Sequence, residues 1–77
     1  MDMQFDRELD VRGLNCPLPV LRAKKSLADM ASGQVLKIVA TDPAAELDFK
    51  VFSMQAGHQL LSSQTAGVEF VFFLKRR

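Results

Sequence analysis

The sequence predicts an α+β fold: a two-layer α/β sandwich of order βαβαββ, with a mixed four-stranded sheet and two helices on one face. Three observations carry that expectation. Between Arg7 and Ala56 the apolar spacing changes twice from a period of two to a helical period. The tail VEFVFFLK reads as a strand and follows a short turn, so the last two strands should pair antiparallel. The chain has 77 residues and is 48% hydrophobic, which suits one domain with a thin core.

Each element has its own signal. In Arg7 to Arg12, Leu9 and Val11 alternate with Glu8, Asp10 and Arg12, the pattern of a half-buried strand. Gly13, Leu14 and Asn15 form a loop. From Pro17 to about Ala31 the period is helical, with Val20, Leu27 and Ala31 stacked and Leu21, Ala23, Ala28 and Met30 beside them. Gly33 marks the helix end. Gln34 to Ala40 is a second strand, rich in β-branched residues. Asp42 and Pro43 read as the cap and first position of a second helix, which runs to about Ala56 with Leu47, Val51 and Met54 as its seam. Gly57 ends it. His58 to Thr65 and Val68 to Lys75 are the last strands, joined through Ala66 and Gly67.

Helical crossovers make the first two strands parallel and place both helices on one face. Leu9, Val11, Leu36, Ile38, Phe70, Phe72 and Leu74 then face the helices. Val35, Val39, Val71 and Phe73 face the other way, among Glu8, Asp10, Arg12, Lys37 and Glu69. That open face is either a partner surface or ordinary apolar area left in water.

Composition excludes several classes. Ten basic and nine acidic residues give a net charge of +1, which does not describe a polyanion binder. The N-terminal MDMQFDREL lacks the basic-then-apolar pattern of a signal peptide, and no apolar run approaches the ~20 residues of a membrane span. One cysteine and one histidine, Cys16 and His58, do not furnish four metal ligands, so neither metal nor cofactor is expected. A lone free thiol fits a reducing, cytoplasmic setting.

Cys16 lies in NCPLP, between the loop and the first helix. Proline is tolerated in the first turn of a helix and costly beyond it. Either Cys16 is the N-cap, with Pro17 and Pro19 in the first turn, or the helix starts slightly later. Both place the sulfur near the surface at a helix entrance. The helix dipole favours thiolate there, and Arg12 and Arg22 are candidate cations. Because Pro17 and Pro19 lack N–H groups, the expected lowering of the thiol pKa is small. No CxxC is present for disulfide exchange, and His58 builds no triad with Cys16. A single exposed thiol suits a group that one protein loads and another removes.

The segment LDVRGLNCPLPVLRAKKSL closely resembles the signature of the TusA/SirA-like sulfur-carrier family. The matching features are Asp10, Gly13 and Leu14, the Cys-Pro-x-Pro motif at Cys16, Pro17, Leu18 and Pro19, and the paired Lys24 and Lys25. ATDPAAELDF, with Thr41, Asp42, Pro43 and Asp48, and then Ala56, Gly57 and His58 extend the likeness over nearly the whole chain. The resemblance implies one carrier domain over residues 1–77. It implies that Cys16 accepts sulfane sulfur as a persulfide, commonly from a cysteine desulfurase, and relays it to an acceptor protein. Members of the family serve tRNA thiolation, cofactor assembly or sulfur oxidation. Lys50 and Ser53 depart from residues common in the family, proline and a second cysteine, and leave a carrier role intact.

Two residues stand out against their helix patterns. Lys24 and Asp48 fall inside apolar arcs. Lys24 can lay its stem on apolar surface and keep its ammonium wet. Asp48 is too short for that, so it either pairs with a partner group or sits at a solvated helix edge. Pro17, Pro19, Gly13, Asp10, Arg12, Arg22 and Asp48 are thus expected to support Cys16. Two other readings compete: a nucleic-acid-binding module, from the basic Lys75, Arg76 and Arg77 and a resemblance in fold to a translation initiation factor domain, and a thiol-redox regulator. With the charge so balanced, direct nucleic-acid binding is not expected.

Overall fold

A computed structural model describes residues 3–77. Met1 and Asp2, which begin the stretch read for a leader, lie outside them. The elements are β1 (Arg7–Val11), α1 (Leu18–Ala28), β2 (Val35–Ala40), α2 (Ala45–Ala56), β3 (Gln59–Ala66) and β4 (Glu69–Lys75). The order is βαβαββ, as the periodicity predicts.

The sheet runs β1-β2-β4-β3. β1 is parallel to β2, and β4 is antiparallel to both β2 and β3. A register shift between Leu60 and Ser62 interrupts the β3–β4 ladder, which accounts for the weak alternation of this segment in the sequence. Both helices cover one face. The core joins Val11, Leu36, Ile38, Phe72 and Leu74 of the sheet to Ala23, Leu27, Phe49 and Phe52 of the helices. Phe49 and Phe72 meet with ring centroids 5.0 Å apart. The sheet residues assigned to the helix side are all on it, with Leu9 and Phe70 partly buried against the cluster.

The helices differ from expectation in rotation and ends. In α2 the residues expected as the seam, Leu47, Val51 and Met54, are 65%, 41% and 76% exposed. Ala45, Phe49, Phe52 and Ser53 are buried instead. Both stripes have helical spacing. The rings of Phe49 and Phe52 bury far more apolar area than Leu47 or Met54 would, so the phenylalanine stripe turns inward. In α1 the buried residues are Pro19, Ala23 and Leu27, while Leu21 is exposed. α1 ends at Ala28, and the backbone N–H of Asp29 caps it on Leu27 and Ser26. Gly33 belongs to the turn into β2, where its N–H donates to the Arg76 carbonyl.

The open face is partly roofed. Phe5 stands edge-on to Phe73 at 6.1 Å, and the Lys37 ammonium lies 5.2 Å from the Phe5 ring centre. Arg12 bridges Asp10 and Glu69 across the sheet at 3.0 and 3.2 Å. Among the described residues no helix is long and apolar enough to cross a membrane.

Candidate functional site: the Cys16 thiol and the groove between the helices

β1 ends at Val11, and the chain must turn sharply to enter α1. Gly13, at φ 79°, makes that turn in the left-handed region. Leu18 N–H donates to the Asn15 carbonyl, and Pro17 is the N-cap, joined to Cys16 by a cis peptide bond. Of the two starts open to the sequence, the later one is found. Cys16 thus precedes the cap and is exposed. Pro19 is buried in the first turn of α1, and no side chain caps the helix.

The loop is held from the turn after β2. Gly13 N–H donates to Thr41 Oγ1 at 2.9 Å. Cys16 N–H donates to Asp42 Oδ2 at 2.8 Å. Asp42 was expected to cap α2 with Pro43 at the first helical position. The helix instead starts at Ala45, after a turn in which Ala45 N–H donates to the Asp42 carbonyl. The Asp42 carboxylate spans this turn and the Cys16 loop, reaching Ala44 N–H at 3.3 Å as well. Sequence spacing signals a cap at Asp42 but not a contact across 26 residues of chain.

Beside the sulfur an open groove of about 300 Å3 runs between α1 and α2. Cys16, Pro17, Val20 and Lys24 line one side, and Leu47, Asp48, Val51 and Phe52 the other. Lys24 and Asp48, the two residues at odds with their apolar arcs, therefore meet at the thiol groove. The Lys24 ammonium lies 5.9 Å from the Phe52 ring centre, with its stem on apolar surface. Asp48 lines the groove opposite Pro17 and Val20, beside the Cys16 thiol.

The electrostatics reverse the expected small lowering of the thiol pKa. Hydrogen bonding to Asp48 is the largest influence, and it pushes the Cys16 thiol up from its ordinary value. Desolvation and the negative charges of Asp48 and Asp42 act in the same direction. The helix entrance does not offset this. Pro17 and Pro19 have no N–H, and that of Leu18 is already donated.

Not every expected supporting residue lies at the groove. Asp10 and Arg12 face the open side of the sheet, where Arg12 holds the Asp10 carboxyl down at about 2. Arg22 is exposed on α1 and does not line the groove. Neither arginine is a neighbouring cation for the thiol. His58 does not line the groove; it lines the adjoining hollow with Arg76 and Arg77, beyond Lys24 and Phe52, and its Nδ1 accepts from Arg77 N–H at 3.0 Å. Ser53 is buried and donates to the Lys50 carbonyl.

The class of protein on the page is a two-layer βαβαββ fold with one exposed thiol beside an open groove. The chain belongs to the TusA family of sulfur carriers. The model of the family described as sulfurtransferase TusA matches residues 7–76. The sulfur carrier protein TusA of Allochromatium vinosum is 54% identical over 72 residues, covering 94% of this chain and 95% of its own. The protein of the same name from Pseudomonas entomophila is 37% identical over 76 residues, covering 99% and 95%. A SirA-like protein of Desulfitobacterium hafniense superposes with a TM-score of 0.81 at 22% identity, over 91% of this chain and 96% of that one, a likeness of fold.

Proposed function

We propose that residues 1–77 form one carrier domain and that Cys16 carries the sulfur, as a persulfide on its Sγ. The observation that carries this reading is the placement of the chain's only thiol, exposed beside an open groove. In the loading step Cys16 sulfur attacks the terminal sulfur of a donor persulfide. A new S–S bond forms to Cys16, the donor S–S bond breaks, and the donor leaves as a thiol. The transferred sulfur keeps its oxidation state, so no external oxidant or reductant enters. Delivery repeats the exchange with an acceptor in the attacking role.

The donor is a cysteine desulfurase or another persulfide-bearing protein. The acceptor is a protein of tRNA thiolation, cofactor assembly or sulfur metabolism, in the cytoplasm. Gly13, Pro17, Pro19 and Asp42 hold the loop that presents the thiol. A nucleic-acid reading loses its main support, because Arg76 is not a free tail: its Nε donates to the Leu27 carbonyl at 2.7 Å.

Incubation with a cysteine desulfurase and L-cysteine should add one reducible sulfur to the wild-type chain and none to Cys16→Ser, read by intact mass. No adduct on the wild type, or an equal one on the serine variant, would overturn the assignment.

A further inference from the structure

Three charged groups lie about the Cys16 loop and its groove, each from a different element. Lys24 comes from α1, Asp48 from α2 and Asp42 from the turn between β2 and α2. They differ in what already occupies them. Both Asp42 oxygens are engaged by backbone N–H groups, those of Cys16 and Ala44. Lys24 rests over Phe52. Asp48 takes part in neither ion pair seen among the described residues, and it lines the same open groove as the thiol. The usual proton acceptor, histidine, is not placed to serve. His58 belongs to another hollow, and its Nδ1 is occupied.

We propose that Asp48 is the proton acceptor for Cys16 during sulfur transfer, taking the thiol proton as the sulfur attacks and returning it to the departing donor sulfur. This rests on the carrier reading of Cys16. As the Cys16 S–H proton moves to the Asp48 carboxylate, the sulfur lone pair forms a bond to the terminal sulfur of a donor persulfide. The donor S–S bond breaks, and its electron pair stays on the departing sulfur. Asp48, now a carboxylic acid beside that sulfur, gives up the proton. Asp48 ends as carboxylate, the donor as thiol and Cys16 as persulfide, so charge and protons balance. The same carboxylate disfavours thiolate while no partner is bound, because it is a like charge beside the sulfur. One group thereby restrains Cys16 at rest and assists it in transfer.

The two effects have opposite signs and can be separated. Alkylation by iodoacetamide consumes thiolate and expels iodide, which needs no proton. Transfer from glutathione persulfide expels a thiol sulfur, which does. Asp48→Asn should alkylate several-fold faster than wild type at neutral pH. The same variant should accept sulfur from glutathione persulfide about a hundredfold more slowly, the low end of general acid–base assistance. Asp48→Glu, which keeps the carboxylate, should retain most of the transfer rate. Transfer that rises in parallel with alkylation, or stays unchanged in Asp48→Asn, overturns the proposal and leaves Asp48 a brake only. A loss in Asp48→Glu as large as in Asp48→Asn overturns it too. Failure of the wild type to gain sulfur at all would instead overturn the carrier reading on which the proposal stands.

Discussion

At the scale of single residues, two carboxylates at the thiol do different work. Asp42 ties the Cys16 loop to the start of α2 through backbone N–H groups, so its loss should be felt as stability. Asp42→Ala removes the acceptor for two N–H groups and should cost about 1 kcal/mol in urea unfolding. An unchanged midpoint would mean that the loop holds itself. The sequence marks Cys16 and Asp48 because each breaks a local pattern, a cysteine between turn residues and an acid inside an apolar arc. It misplaces Asp42 and Arg12, whose partners are set by which strand ends meet and which side of the sheet a residue faces.

The elements were legible in kind and order but not in rotation. α2 offers two apolar stripes, and only contact with the sheet selects between them. Phe49 is fully buried against Phe72, whereas Met54 is 76% exposed. Phe49→Ala should lower stability by about 3–5 kcal/mol by opening a cavity. Met54→Ala should change it by less than about 0.5 kcal/mol. Chemical denaturation of the two variants checks the rotation, and similar losses would contradict it. The rotation also serves the site. With the phenylalanines turned inward, Leu47 and Val51 are released to line the groove next to Cys16.

Over the whole molecule, the C-terminus closes the end of the sandwich away from the thiol loop. Arg76 donates its N–H to the carbonyl of Gln34, just before β2, and its Nε–H to that of Leu27 in α1, and Arg77 N–H donates to His58 Nδ1. Gly57, in the left-handed conformation at the end of α2, leaves room for the Arg77 side chain, which would lie 3.1 Å from an added Cβ. Partial burial is the main cause that lowers the His58 pKa, and the charges of Arg77 and Arg76 add to it. The folded state therefore favours neutral His58. This contribution is present above the unfolded pKa of about 6.5 and is lost as pH falls through the folded value. The urea midpoint of wild type minus that of His58→Gln should thus be larger above pH about 6.5 than in mild acid. A difference that does not vary with pH would rule out the coupling.

By itself the sequence determined the order of elements, the inward face of the sheet, and the exposed single thiol just ahead of two prolines. These follow from local rules: side-chain period, turn chemistry and the backbone limits of proline. Only the tertiary structure decided the thiol's surroundings. The helix entrance and its arginines promise a slightly acidified Cys16, but Leu18 has already given its amide away and Arg12 lies across the sheet. What reaches the sulfur is a pair of carboxylates, brought from distant parts of the chain when both helices pack on one face. Electrostatic influence depends on distance through space, which sequence spacing does not fix.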